Sequence, residues 1–95
     1  MKIRWFCAAR ADLVAIRRFI EDQDHPAAAQ SVAQRILSTV TYLREHPTIG
    51  RPGRVTGTRE LIIAGLPYVV PYRIREGVLE ILRVLHMSRQ WPEEL

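Results

Sequence analysis

"YVVPYRIREGVLEILRVLH", residues 68–86, is two apolar runs joined by Arg75-Glu76-Gly77. A tight glycine-containing turn between runs rich in β-branched and aromatic residues is the signal of a β-hairpin, because glycine accepts the positive φ that such a turn requires. With Glu76-Gly77 as a two-residue turn, Arg75 pairs with Val78 and the register of the hairpin follows. One face then carries Tyr68, Val70, Tyr72 and Ile74 opposite Leu85, Arg83, Ile81 and Leu79. The other carries Val69, Pro71 and Arg73 opposite Val84, Leu82 and Glu80, with His86 at its end. The first face is apolar apart from Arg83 and needs a covering layer. The second is mixed, holds an Arg73–Glu80 cross-strand pair, and is expected to face outward.

Outward from the hairpin, "TRELIIA" (58–64) reads as a further strand, and "HPTIGRPGRVTG" (46–57) as a Gly/Pro loop carrying Arg51 and Arg54. At the other end, "KIRWF" (2–6) alternates polar and apolar and predicts a short first strand. Between them the period becomes helical. Ala9, Leu13, Ile16 and Ile20 form one stripe as far as about Asp22, with Asp12 and Phe19 beside it. "DQDHP" breaks this helix, Asp24 or His25 is placed to cap the next, and Pro26 suits its first turn. Ala29, Val32, Ala33, Ile36, Leu37, Val40 and Leu43 predict a second helix to about Glu45, ended by His46-Pro47. Two helices with so short a link make an antiparallel pair, and neither hides its stripe from water alone. The expected fold is therefore α+β: an N-terminal strand, then a helical hairpin (about 9–45) packed on a C-terminal, mainly antiparallel sheet of three to four strands (about 58–86). A short, polar and mobile tail (87–95) completes a single domain over 1–95.

The 95 residues carry 14 Lys+Arg against 10 Asp+Glu, a net charge of +4. Lys2 is the sole lysine, so the excess is arginine, whose planar fork suits phosphates, carboxylates and stacked rings. Such a surface fits nucleic acid or an acidic protein segment, although a GC-rich gene would also favour arginine. No apolar stretch approaches the roughly 18 residues of a membrane span, and "MKIRWFCAARADL" lacks a signal-peptide core. A cytoplasmic protein without membrane contact is expected. Cys7 is the only cysteine and no two histidines have ligand spacing, so neither a metal nor a cofactor is expected.

A guanidinium on the helix-facing side of a sheet needs a carboxylate, and Asp12 sits beside the apolar stripe of the first helix. Asp12 and Arg83 are therefore expected to form a structural ion pair, while His86 faces out with Arg89 nearby. Arg51 and Arg54 in the loop, and Arg59 at the start of the following strand, are candidates for contact with a target or partner, against the plainer reading of a solvated loop. Arg89 and Trp91 make a candidate Arg–aromatic contact surface, unless Trp91 covers the core. Tyr68 and Tyr72 read as helix-facing core, Glu60 as a local anchor for an arginine, and His25 and His46 as helix-boundary residues.

The order strand, helical hairpin, Arg/Gly/Pro loop and antiparallel sheet, with "ADL" opening the first helix and "HPTIGRPGRVTGTREL", "PYVVPYRI" and "EILRVLHMSRQW" following, resembles the ParE/RelE superfamily of bacterial type II toxins. The resemblance spans essentially the whole chain. It implies a small cytoplasmic toxin held inactive by a wrapping ParD-like antitoxin that also carries a DNA-binding domain. Two activities occur in the superfamily. ParE-like members bind DNA gyrase and stall it on cleaved DNA, whereas RelE-like members cut mRNA on the ribosome. RelE-like nucleases keep an outward arginine just after the aromatic that opens the middle strand, and here that position is Val69. Their lysines on the preceding strand fall on Glu60 and Ile62, and the late tyrosine of YoeB-like members falls on Met87. Only His86 and Arg89 remain for nuclease chemistry. The resemblance is therefore closer to ParE, with gyrase the expected target and ribosome-dependent mRNA cleavage the alternative. A generic nucleic-acid module fits less well, since neither a helix-turn-helix nor the paired outward aromatics of an RNA-recognition sheet can be read.

Overall fold

The structure is a computed structural model that describes residues 1–89, 91, 92 and 95. In chain order its elements are β1 (Lys2–Trp5), α1 (Cys7–Asp22), α2 (Pro26–Tyr42), β2 (Arg51–Pro52), β3 (Arg59–Ile62), β4 (Tyr68–Arg75), β5 (Val78–Ile81) and β6 (Leu85–His86). The sheet runs β1-β5-β4-β3-β2, with β6 joined to β4; only β1 and β5 are parallel. The helical hairpin covers one face, as a single amphipathic layer must.

The hairpin turn is Glu76 at φ 52° and Gly77 at φ 76°, two positive values that match a turn to the right-handed twist of its strands. The register then holds from Arg75–Val78 to Tyr72–Ile81. Beyond that the structure corrects the expected pairing. The Leu82 N–H still donates to Pro71 O, but Arg83 and Val84 leave the ladder, and pairing resumes one residue out of step, as Val69–Leu85 and Tyr68–His86. This is a β-bulge, and it exchanges the faces of the residues after it. Val84, expected outside, is buried in the helix-facing core, and His86, expected outside, lies across from Tyr68 on the helix side. The physical cause is an acceptor on α1: Asp12 Oδ2 takes the Val84 N–H at 2.9 Å, so that group needs no partner in the sheet.

The core lies between α2 and the sheet. Ile36, Val40 and Leu43 pack on Leu61, Ile63, Val70, Tyr72, Leu79 and Ile81. α1 rides higher: only Ala9 is buried, while Leu13 and Ile16 are half-covered and Phe19 is exposed. α2 stops at Tyr42 rather than near Glu45, and Leu37 is exposed. Neither expected cap forms: Asp24 adopts φ 61° and His25 occupies the N-cap position without a side-chain bond.

The other face of the sheet is not open either. Val69, Pro71 and Leu82 are buried, and Val55 and Leu95 lie beside Leu82. The segment expected to be a mobile tail is anchored where it is described. Met87 N donates to Pro67 O, and Trp91 is half-buried under Arg54, whose guanidinium carbon lies 3.5 Å from the indole centroid.

Candidate functional site

Two regions gather the chemistry-bearing side chains. In the first, Glu60 projects from β3 beneath the loop and is 3% exposed. Its Oε1 accepts from Arg51 Nη2 at 2.9 Å and Nε at 3.1 Å, and its Oε2 accepts the Arg54 backbone N–H at 2.9 Å. Arg59 Nη1 donates to the carbonyls of Gly50 and Thr48, and the Tyr72 hydroxyl donates to Pro47 O while accepting the Gly50 N–H. Arg51, Arg54 and Arg59 are thus committed to holding residues 47–60 in one shape, and Arg54 is held over Trp91.

Burial pushes the Glu60 carboxyl up, but the Arg54 N–H and the Arg51 guanidinium outweigh it, leaving the group below its ordinary value. A carboxylate depressed in the folded state stabilises above its unfolded pKa, and that stabilisation disappears as pH falls through the folded value. Glu60→Gln is expected to lose about 1–2 kcal/mol at neutral pH, with the two proteins converging in denaturant titrations at acid pH. A gap that stays constant from neutral to acid would contradict this.

The second region is a groove of about 790 Å³ between α1 and the segment after β5, bordered by Phe19, Tyr68, His86, Arg89 and Trp91. It exists because α1 packs loosely here, its exposed Phe19 and half-covered Ile16 forming one wall. At its base Asp12 binds Arg83 bidentately, Nε to Oδ2 at 2.6 Å and Nη2 to Oδ1 at 2.9 Å. The Asp12 hydrogen bond raises the Arg83 pKa further above its already high value, so this cation stays charged in place. Tyr68 meets His86 edge to face at 5.6 Å between centroids. The His86 Nδ1 accepts the Ser88 backbone N–H at 3.1 Å with Ser88 Oγ at 2.8 Å, which puts the proton of the neutral ring on Nε2. Arg89 lies 6.0 Å from the Phe19 centroid.

The bulge therefore brings His86, Arg89 and Trp91 to one groove and leaves Arg51 and Arg59 outside it. Val69, Glu60 and Ile62, the positions at which a RelE-like nuclease carries cations, lie on the opposite face of the sheet from His86. Sequence reasoning missed Phe19, Arg89's neighbour across the groove. Its signal was available, since a phenylalanine beside a helical stripe rather than on it is a candidate for exposure.

A family model described as ParE toxin of the type II toxin–antitoxin system parDE matches residues 3–91. The chain belongs to the ParE toxin family. It is 49% identical over 94 residues to the protein Y4kP of Sinorhizobium fredii, covering 99% of this chain and 96% of that one. It is 39% identical over 88 residues to Toxin RelE2 of Caulobacter vibrioides, covering 93% and 97%. A solved structure described as "Chromosomal ParDE TA system from P. aeruginosa" superposes with a TM-score of 0.86 at 30% identity, covering 93% of this chain and 97% of that chain. This ParE-family toxin thus shares the N-terminal strand, helical pair and mainly antiparallel sheet of that neighbour. No helix among its described residues is long and apolar enough to cross a membrane.

Proposed function

We propose that this toxin works by binding: it inhibits DNA gyrase in the cytoplasm as one single-domain unit, and a ParD-like antitoxin holds it inactive. The observation that carries the reading is the separation made by the bulge. RNA cleavage needs a base, an acid and cations converging on one phosphate. His86 opens into the α1 groove, whereas the Val69–Glu60 surface lies across the sheet. Arg51 and Arg54 are bound to Glu60, and Arg83 to Asp12, so these cations serve structure. The groove supports the antitoxin part of the reading. Its apolar wall at Phe19 and Ile16, rimmed by His86 and Arg89, suits a partly helical segment that brings apolar anchors and carboxylates.

One observation favours the alternative of ribosome-dependent mRNA cleavage. His86, with its proton on Nε2, and Arg89 border the same groove and would be its acid–base and phosphate-binding groups. Purified toxin added to a gyrase supercoiling assay and to a translating extract separates the two. Loss of supercoiling with accumulation of cleaved DNA, and intact mRNA in the extract, is the expected result. Site-specific mRNA cuts that vanish in His86→Ala, with gyrase unaffected, would overturn it.

A further inference from the structure

Of the nine cations that neither the loop nor the groove uses, four lie together at one end of the sheet. β1, β5 and β4 lie side by side in register, so that Arg4, Glu80 and Arg73 form one row and Lys2, Val78 and Arg75 the next. Ile3, Leu79 and Ile74, between these rows, have side chains on the helix side of the sheet, which leaves all four cations on the outward face. Among the described residues of these two rows, Glu80 is the one carboxylate. It accepts from Arg73 Nε at 2.7 Å and lies 4.0 Å from Arg4 Nη1. Four cations against this one carboxylate leave the two rows net positive. The exposed surface of α1, by contrast, mixes Arg10, Arg17 and Arg18 with Glu21 and Asp22.

The geometry of the patch is that of a backbone-tracking surface. Strand alternation sets Arg73 and Arg75, and likewise Lys2 and Arg4, about 6.6 Å apart along their strands, and β1 stands about 9.6 Å from β4. The guanidiniums of Arg4 and Arg73 lie 5.5 and 5.6 Å from the Phe6 centroid, which steers their forks and keeps an aromatic ring between them. Next to Arg73 and Arg75 is a hollow of about 350 Å³ of mixed character, in which Thr56 and Thr58 add hydroxyls to the cations while Val55, Leu82 and Leu95 supply apolar wall. A peptide partner would need apolar anchors here, yet Val69, Pro71 and Leu82 on this face are already covered. What the face offers is charge in regular spacing, the chemistry that neutralises phosphodiesters and releases counterions.

We propose that the outward face of β1, β5 and β4 contacts the phosphodiester backbone of a nucleic acid through Lys2, Arg4, Arg73 and Arg75. The contact is independent of whether gyrase is the target, and it would hold the toxin against nucleic acid already bound by that target. Fluorescence anisotropy of full-length toxin with short labelled duplex DNA, single-stranded DNA and single-stranded RNA, without gyrase or ribosomes, tests it directly. Four phosphate contacts predict a loss of affinity on the order of a hundredfold between about 50 and 200 mM salt. Arg4→Ser/Arg75→Ser is expected to weaken binding at least about tenfold at low salt and to reduce the slope against log salt by about two. Arg10→Ser/Arg18→Ser, on exposed α1 with the same change in charge, is expected to stay within about twofold. Lys2→Ser/Arg75→Ser, which keeps the Arg4–Phe6 contact, repeats the comparison should the first variant melt early. Equal losses from the sheet and helix variants, or an absence of binding at low salt, would overturn the proposal. Displacement of every nucleic acid by polyglutamate at matched charge would overturn it too, assigning the face to an acidic polypeptide. A preference among the three probes identifies which nucleic acid the face takes.

Discussion

Asp12→Ala is expected to lower the stability of the toxin by about 2–3 kcal/mol, and its melting temperature by about 10–20 °C. The carboxylate accepts three bonds: two from Arg83 and one from the Val84 N–H. Removing it leaves a guanidinium and an amide, both largely covered, without acceptors, and this asymmetry makes truncation worse than never having had the pair. The figure sits below that for a fully buried pair because the Arg83 side chain keeps 25% of its exposure and Asp12 16%. Asp12→Asn, which can still accept from Val84, is expected to fall between wild type and Ala. Asp12→Leu/Arg83→Met is expected to recover part of the loss, since no charge is then stranded. Thermal melts of the four proteins check the series. An Asp12→Ala protein as stable as wild type would remove the carboxylate from its place as the anchor of the bulge. The consequence for function is through position. Without that anchor the register shift at Arg83–Val84 is no longer held, and His86 loses its place in the groove.

Tyr72→Ala is expected to cost about 4 kcal/mol, and Tyr72→Phe about 2 kcal/mol. The ring is fully buried among Ile36, Val40 and Leu43, so truncation opens a cavity where α2 meets the sheet. The hydroxyl separately closes the loop entrance by binding both Gly50 N and Pro47 O at 2.9 Å. Burial pushes this hydroxyl above its ordinary pKa, so it stays a donor. The stability tied to its protonated form is complete below the unfolded value near 10 and is lost as pH rises through the folded one. Gly50 is part of the same device. A Cβ there would lie 2.6 Å from the Tyr72 ring, so Gly50→Ala must push ring or loop aside. Chemical denaturation checks the order Tyr72→Ala, Tyr72→Phe, wild type. A Phe variant equal to wild type would mean that loop and core are energetically separate.

The elements differ in how much of them alternation alone could supply. The hairpin 72–81 was legible because its turn chemistry and its period of two agree on one register. The bulge was not, because what stabilises it is an oxygen on α1, 72 residues away in sequence, and no local pattern reports it. For that reason the faces assigned to Val84 and His86 were reversed. The cover on the outward face left a signal that could have been read: "YVVPY" is continuously apolar, the mark of a strand buried on both sides. β2, only two residues long, was hidden inside a Gly/Pro loop whose shape depends on Glu60 and Arg59 rather than on its own propensities.

The amino-acid sequence by itself determined the α+β layering, the register near the turn and the ParE-family membership. Each depends on periodicity, turn residues and motif order, which are properties of neighbours along the chain. Tertiary structure alone decided which face His86 occupies, that Arg51, Arg54 and Arg59 make contacts within one loop, and that Lys2, Arg4, Arg73 and Arg75 share one face of the sheet. Those outcomes turn on which acceptor lies within about 3 Å of each donor. Only the folded chain brings Asp12 to Val84 and Glu60 to Arg54.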